Sequence, residues 1–402
     1  MRIAEVARSP HVDYVIGPTL YHWRTLGNGD GMMQPAESFS AHGTAVVAEL
    51  DLRTYTEPNE YETRNGRMST PEMSVSAINR TMGMLFARGC AGHWLEMYDR
   101  WFREPMLLDL LKSYCDLYMS LPEEPAGTVT RDVCVVSDQR STAFVRTNHP
   151  NGIHVLLIAE FMRRMPEIGV GFNHIITQDL VEPGRIEPQK FYIITNLFAI
   201  SAADRQAMLK RFEKERATVL WLYAPGVSFP DRGPDARFAS ELLGITLAMD
   251  NVKKNQLITF ADPEKWGVKE FYSRVNLAPW FTAVSGFDEV IARTSEGKPA
   301  LVKWQRNGVT NYFCTIPNPP PEVLRRIAAE AGAKVWIKSG DPIWAGNDFV
   351  TVHARTGGSK QLDLPAGMAA RSVIGPDVGT LRTGESFDAK AGITYGFIVT
   401  RE

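Results

Sequence analysis

Three charged residues, each two positions from the next, follow a short apolar run in the first sixth of the chain. Residues 45 to 48 are small or β-branched, and Glu49, Asp51 and Arg53 come directly after them. Because side chains alternate between the two faces of a strand, all three are expected on one face. Two carboxylates and a guanidinium there could supply nucleophilic or acid-base chemistry, or form an ion pair that only holds the strand end. Spacing alone favours the ion pair.

Aromatic and charged residues also occur at the ends of the two neighbouring predicted strands. They are Tyr21, Trp23, Arg24, Trp94, Glu96 and Trp101. Aromatic faces stack on the C–H face of a pyranose ring, and carboxylates and arginines bind its hydroxyl groups. The set is therefore typical of a sugar-binding site. The tryptophans could also be ordinary core residues, since Trp is highly buried on average.

The elements that must position these residues alternate between strand and helix. Over residues 1 to 121 the strands HVDYVIGP, GTAVVAELD and CAGHWLEMYD alternate with the helices SVSAINRTMGMLFARG and EPMLLDLLKSYCDLYMSL. Strands separated by helices pair in parallel, which indicates an α/β sheet or barrel. In such barrels the active site lies at the carboxyl ends of the strands.

Two further regions follow a Pro- and Glu-rich linker at residues 122 to 131. The strand-helix alternation restarts over residues 127 to 333 and predicts a doubly wound, flavodoxin-like domain, with a hairpin turning at Asn307-Gly308. Short strands between Gly, Asp and Pro turns predict a small all-β domain, a sandwich, over residues 335 to 402.

The middle region invites comparison with amidotransferases, which place a nucleophile at a turn between strand and helix. Here the strand TVLWLYAPG ends in Ala224, Pro225 and Gly226, without the Cys or Ser that such a turn requires. An amidotransferase-like hydrolase is therefore disfavoured, and a scaffold is expected.

Composition excludes several classes of partner. The 402 residues carry a net charge of -2 without a basic run, so neither nucleic acid nor an anionic membrane surface is expected as a partner. No apolar run approaches the roughly 18 residues of a membrane span. The four cysteines form no CxxC pair, and we expect buried thiols, no metal and no cofactor. The cellular compartment is not indicated.

Three stretches together resemble a known family. SPHVDYVIGPTLYHWR, ESFSAHGTAVVAELDLRTY and ARGCAGHWLEMYDRWF are similar to the last third of a glycoside hydrolase barrel of the β-galactosidase, family-42-like type. The order of the regions is similar too, since these enzymes carry a barrel, an amidotransferase-like domain without its triad that mediates trimer formation, and a small β domain. The resemblance implies a partial (β/α) barrel with its last three strands at the N-terminus, a carbohydrate substrate and a homotrimer.

The resemblance also implies a role for each site residue. Barrel strands six, seven and eight would be residues 14 to 18, 46 to 49 and 91 to 97, with Glu49 as the nucleophile. Asp51 and Arg53 would orient it, keep it ionised and bind substrate hydroxyls. Trp94 would be the aromatic platform with Glu96 beside it. Both Glu49 and Asp51 are then expected to face an open cleft next to Trp94. The remaining substrate-binding residues would be Tyr21, Trp23, Arg24 and Trp101.

The stretches that resemble the family do not include its acid/base carboxylate. A retaining glycosidase uses two carboxylates about 5–5.5 Å apart, and in this family the acid/base lies on barrel strand four. We therefore expect the C-terminal portion of a longer hydrolase, inactive alone because the acid/base strand is missing. The alternative is a shortened, non-catalytic protein that binds carbohydrate or oligomerises through the middle domain.

Overall fold

A computed structural model describes residues 3–59, 66–96, 101–145, 152–228, 233–273 and 275–402, with only the backbone of His22. The chain divides into two compact units. The small-sheet unit comprises Pro10–Arg131, Arg163–Phe172 and Lys334–Glu402, and the large-sheet unit comprises Met1–Ser9, Asp132–Met162 and Asn173–Ala333. The predicted regions 1 to 121 and 335 to 402 thus lie mainly in one unit.

Ten α-helices occur in the described residues, and none is long and apolar enough to cross a membrane. Their bounds are α1 Ile3–Ala7, α2 Ala36–Ser40, α3 Pro71–Arg88, α4 Pro105–Ser120, α5 Glu160–Arg164, α6 Thr177–Val181, α7 Ala202–Glu215, α8 Ala236–Leu243, α9 Pro263–Trp266 and α10 Pro321–Glu330.

Strands of the two units form separate sheets. Their bounds are β1 Tyr14–Pro18, β2 Ala45–Leu50, β3 Ala91–Trp94, β4 Val133–Ser137, β5 Phe172–Ile176, β6 Phe191–Ile194, β7 Thr218–Leu222, β8 Thr246–Asp250, β9 Leu257–Phe260, β10 Glu270–Tyr272, β11 Trp280–Ser285, β12 Glu289–Thr294, β13 Pro299–Arg306, β14 Val309–Cys314, β15 Ile343–Gly346, β16 Phe349–His353, β17 Gly358–Gln361, β18 Met368–Ile374, β19 Thr380–Arg382, β20 Ser386–Ala389 and β21 Thr394–Arg401.

The small-sheet unit begins with a three-stranded parallel sheet in the order β1-β2-β3. The first two strands lie where the sequence predicted them. The third is shorter than predicted, because it ends at Trp94 and Leu95 and Glu96 are not in a strand, while Met97 lies outside the described residues. Helix α3 contacts β3 of this sheet. Its N-cap Thr70 accepts a hydrogen bond from the Met73 N–H at 3.2 Å, and Gly89 ends it with φ 67°. The helix thus begins three residues before the predicted segment SVSAINRTMGMLFARG.

The C-terminal strands complete the small-sheet unit. Five form one sheet in the order β15-β16-β21-β18-β19, and β17 pairs with β20. Helix α3 packs against β15, β16 and β21. The predicted strand KVWIKS is wrong: apart from an isolated bridge at Val335, residues 334 to 339 form no strand. Trp336 and Ile337 are nevertheless buried in the β core, and this burial explains their apolar pattern.

The large-sheet unit contains a nine-stranded mixed sheet in the order β10-β9-β12-β13-β14-β7-β6-β4-β5. Strands β4, β6, β7 and β14 are parallel neighbours, so their carboxyl ends lie at one edge. The predicted hairpin is confirmed: Asn307 and Gly308 join β13 to β14 with φ values of 50° and 79°. The predicted mixed α/β class is also confirmed.

The four cysteines are free thiols. Cys90, Cys134 and Cys314 are buried as expected, whereas Cys115 is exposed on α4. Burial raises the pKa of Cys90 to about 11 and that of Cys314 to about 12. These two thiols are therefore protonated at neutral pH, and we treat them as core residues.

Candidate functional site

The loops that follow β1, β2 and β3 meet at the carboxyl edge of the small parallel sheet. The Arg53 guanidinium carbon lies 5.4 Å from the centre of the Tyr21 ring and 4.7 Å from that of Trp101. One residue from each loop thus takes part in a single cluster. This meeting follows from parallel pairing, because parallel strands bring their carboxyl ends to the same edge.

Asp51 is the centre of this cluster. Its Oδ1 lies 2.5 Å from Arg24 Nη2 and its Oδ2 lies 2.7 Å from Arg53 Nη1, while the Tyr21 phenol also hydrogen-bonds to it. Burial alone would raise the pKa of Asp51, but the charges and hydrogen bonds of Arg24 and Arg53 outweigh burial and lower it. Asp51 is therefore ionised at neutral pH and is no proton donor.

The same carboxylate affects the phenol beside it. Burial and then the negative charge of Asp51 raise the pKa of Tyr21, although the two neighbouring arginines oppose the change. The Arg24 guanidinium also lies 4.1 Å from the centre of the Tyr21 ring. Tyr21 is a protonated, half-buried phenol that donates to Asp51.

Arg24 is fully buried, and its donors are directed to the protein. Its Nε donates to Thr19 Oγ1 at 3.0 Å, its Nη1 to the Asp51 carbonyl at 3.1 Å and its Nη2 to the Thr19 carbonyl at 3.0 Å. The prediction that Arg24 contacts substrate hydroxyls is corrected on this geometry. Its hydrogen bonds instead join the loop after β1 to the end of β2.

Asp51 and Arg53 are only 1% and 7% exposed, so the expected open cleft at Asp51 is wrong. Strand β2 ends at Leu50, and the alternation that would place residues 49, 51 and 53 on one face ends with it. Asp51 turns inward to the two guanidinium groups. Asp51 and Arg53 therefore form an ion pair, the alternative that their spacing favoured. Neither side chain is accessible for direct contact with a sugar.

Glu49 is placed differently. Its strand β2 alternates in burial, with Ala48 and Leu50 fully buried on one face and Glu49 half-buried on the other. Register aligns Glu49 with Pro18 of β1 and with His93 of β3. Glu49 is therefore the accessible carboxylate at the carboxyl end of the central strand.

The register also corrects the expected neighbour of Glu49. Trp94 is aligned with Leu50, whose side chain lies on the opposite face, and Trp94 instead contacts Phe102 at 5.2 Å between ring centres. Adjacent residues in register share a face, so the exposed His93 is the β3 side chain beside Glu49. Sequence reasoning missed His93, although counting one position back from Trp94 would have found it.

Trp101 and Trp23 belong to the core, at 0% and 5% exposure, which corrects their expected role as sugar platforms. The Trp101 indole N–H donates to the buried Glu57 carboxylate, and its backbone N–H donates to Glu96 Oε1 at 2.5 Å. Sequence reasoning missed Glu57, which has no motif around it. Glu96 thus accepts a hydrogen bond from the backbone of Trp101, while Met97 and Asp99 lie outside the described residues.

The glycine-rich loop after Arg24 is held by the C-terminal strands of the same unit. Gly27 N–H donates to His353 Nε2 at 2.7 Å, Arg355 Nε donates to the Gly27 carbonyl at 2.6 Å, and Trp344 Nε1 donates to the Gly29 carbonyl at 2.6 Å. The Gly27 N–H, a group that could otherwise bind an anion, is thereby occupied by His353. The loop is consequently a structural support for the residues after β1.

Comparison of the sequence with protein-family models gives no match, and no curated protein matches the sequence either. The fold, in contrast, matches solved β-galactosidases. That from Rahnella sp. R3 has a TM-score of 0.67 at 11% identity, over 100% of this chain and 62% of that one. That from Bacillus circulans sp. alkalophilus has a TM-score of 0.61 at 10% identity, over 89% and 60%. Gan42B, a GH42 β-galactosidase, has a TM-score of 0.53 at 10% identity, over 90% and 60%.

The chain therefore spans about 60% of the length of these β-galactosidases. At such low identities the similarity establishes a shared fold. The resemblance to β-galactosidases of family 42, predicted from the motifs around the three N-terminal strands, is confirmed at that level.

Proposed function

We propose that this chain carries the nucleophile side of a retaining glycoside hydrolase site of the β-galactosidase type. Strands β1, β2 and β3 would be the last three strands of a (β/α) barrel, and Glu49 would attack the anomeric carbon of a β-galactoside or related sugar. The observation that carries the proposal is the accessible position of Glu49 at the carboxyl end of β2, within a fold that β-galactosidases share.

In this mechanism the Glu49 carboxylate displaces the aglycone and forms a covalent glycosyl-enzyme, which water then hydrolyses. A second carboxylate must protonate the leaving oxygen. Asp51 cannot supply that proton, because Arg24 and Arg53 keep it ionised. We infer that the acid/base would come from another barrel strand and that this chain alone is inactive toward glycosides with poor leaving groups.

The ion cluster around Asp51 would act on Glu49 indirectly. Glu49 is two positions from Asp51, whose backbone carbonyl also accepts from Arg53 Nη1 at 2.7 Å. Holding this backbone would fix the direction of the Glu49 side chain. His93 and Glu96 are the other candidates for sugar contacts, because both are at least partly accessible beside the same strand ends.

The remaining regions would serve assembly. Residues 127 to 333 would be the amidotransferase-like domain through which a homotrimer forms, and residues 335 to 402 the small β domain. Sedimentation of the purified chain at several concentrations tests this assignment, and a monomer at all of them would contradict it.

A non-catalytic carbohydrate-binding or oligomerisation protein is the second candidate. Burial favours it, since Asp51, Trp23 and Trp101 are committed to contacts within the protein. This candidate predicts that galactose binds measurably by calorimetry, or that trimers form, without any covalent reaction at Glu49.

Covalent trapping separates the two candidates. A dinitrophenyl 2-deoxy-2-fluoro-β-galactoside has a leaving group that departs without protonation, so a competent nucleophile reacts even when no acid/base is present. We expect a galactosyl label on the peptide that contains Glu49, found by mass spectrometry after proteolysis. Glu49→Gln should abolish labelling and the exposed Glu72→Gln should not. Absence of label on the folded chain, or label elsewhere, would overturn the nucleophile assignment.

A further inference from the structure

A cavity of about 1040 Å³ lies in the large-sheet unit, and its described lining includes none of the residues of the proposed glycosidase site. The loops after three neighbouring parallel strands line it. Phe144 follows β4, Phe198 follows β6, and Tyr223 follows β7 directly. Open α/β sheets bind their ligands at this edge, beyond the carboxyl ends of the strands. The volume is near the upper end of the roughly 300–1,000 Å³ of small-molecule sites.

Four of the described lining residues are aromatic, and three of them, Phe198, Tyr223 and Phe281, pack together as one wall. The Tyr223 ring meets Phe198 edge-on at 6.5 Å and Phe281 edge-on at 5.9 Å between ring centres. The Tyr223 hydroxyl donates to the Pro279 carbonyl at 2.6 Å, and its N–H donates to the Cys314 carbonyl at 2.8 Å. The three rings therefore pack edge-on against one another and form one aromatic wall of the cavity, which suits a flat apolar ligand.

The backbone at Tyr223 is unusual for such a large residue. Its φ is 62°, in the left-handed region that bulky side chains rarely adopt. Strained conformations of this kind cluster at ligand sites and persist only where surrounding contacts hold them. Here the strain directs the ring into the aromatic wall at the end of β7.

The chemistry of the lining indicates the charge of the ligand. Among the described lining residues Lys253 is a cation, and no acidic side chain accompanies it. Lys253 is exposed and forms no ion pair with a described residue, whereas the adjacent Lys254 is paired with Asp250 and Glu296. A free ammonium group beside an apolar cavity is complementary to an anion that has an apolar body.

We propose that this cavity binds a small aromatic anion, such as an aryl carboxylate or sulfonate, with its rings against the wall formed by Phe198, Tyr223 and Phe281 and its charge toward Lys253. The described part of the lining offers no nucleophile paired with a base, so we propose binding without chemistry at this site. It is independent of Glu49 and of the proposed hydrolase function.

Fluorescence titration of the whole chain with anilinonaphthalene sulfonate tests the proposal. We expect saturable binding of one probe per chain and competition by naphthoate that exceeds competition by neutral naphthalene methanol. Lys253→Gln should weaken binding about threefold, the value of an exposed ion pair. Lys269→Gln, the control at an exposed lysine outside the cavity, should leave it unchanged.

A second variant tests the location. Val275 is half-buried in the cavity lining, and Val275→Trp should fill the space and remove probe binding, whereas Val284→Trp at an exposed position outside the lining should not. Circular dichroism confirms that each variant folds. Unchanged binding in Val275→Trp, equal competition by the neutral naphthalene, or probe binding that falls as the chain self-associates would each overturn the proposal.

Discussion

Arg24 Nη2 lies 2.5 Å from Asp51 Oδ1, and both side chains are buried. The pair joins the loop after β1 to the end of β2, across 27 positions of sequence. Arg53 pairs with the other oxygen of the Asp51 carboxylate. Buried charges are tolerated when each is paired and hydrogen-bonded. The cluster consequently acts as a structural tie directly behind the accessible Glu49.

Asp51→Asn should destabilise the small-sheet unit strongly. The substitution removes one negative charge and leaves two buried guanidinium groups facing a neutral amide, which costs about 3–5 kcal/mol in comparable buried pairs. Urea denaturation followed by tryptophan fluorescence measures the loss of unfolding free energy. Asp116→Asn, in the exposed Lys112–Asp116 pair, is the control and should cost less than about 0.5 kcal/mol. Equal effects of the two variants would contradict a structural role for the cluster.

Trp101→Phe should also lower the free energy of unfolding. It keeps an aromatic ring but removes the indole N–H that donates to Glu57, and a buried carboxylate that loses its donor costs about 1–3 kcal/mol. The same denaturation experiment reports this loss. Trp94→Phe changes a half-buried indole and should cost less than about 1 kcal/mol. A neutral Trp101→Phe would show that the Glu57 contact is unimportant.

Gly83→Ala should destabilise the protein although alanine favours helices. Gly83 lies within α3 at its contact with β16, and a Cβ there would overlap the Thr351 side chain. The overlap costs about 1–3 kcal/mol, more than the roughly 1 kcal/mol gained in helix propensity. Thermal unfolding measures the difference. Ser113→Ala on exposed α4 is the helix control and should be slightly stabilising, by less than about 0.5 kcal/mol, because alanine favours helices more than serine does. A stabilised Gly83→Ala would disprove the tight packing.

Acid should destabilise the protein through His353. Burial, followed by the charges of Arg80 and Arg355, lowers the pKa of His353 to about 2. In the folded state the ring stays neutral, whereas the unfolded chain takes up a proton below its ordinary pKa of about 6.5. Unfolding therefore becomes easier as pH falls below about 6.5, and His353 contributes a loss of about 1.4 kcal/mol at about pH 5.5.

Urea denaturation between about pH 8 and pH 5 measures this effect. His353→Asn should have a lower unfolding free energy at neutral pH, because Gly27 loses its acceptor, and a flatter dependence on pH. The exposed His93→Asn should keep the full dependence on pH. An unchanged slope in His353→Asn would contradict a neutral buried imidazole.

Local pattern was sufficient for most elements of the fold. Strands β1 and β2 follow from short apolar runs, and α3 follows from apolar residues at helical spacing, although it begins at Pro71, three residues before the predicted segment. The KVWIKS segment failed because burial gives Val335, Trp336 and Ile337 a strand-like pattern even though no strand pairs with them along their length. A sequence records how apolar a segment is, but it does not record which neighbour is available to pair.

At the candidate site, too, sequence pattern predicted one part and the contacts of the folded chain decided the other. The residue types after three successive strands were enough to expect one cluster at one edge, because parallel pairing brings carboxyl ends together. Which side chains of that cluster remain accessible depended on contacts between distant positions. Arg24 and Arg53 draw Asp51 inward, Glu57 holds Trp101 in the core, and the β2–β3 register brings His93 rather than Trp94 to Glu49. The first two outcomes balance desolvation against a buried charged partner, and the third is set by strand register, so none of them exists until the chain has folded.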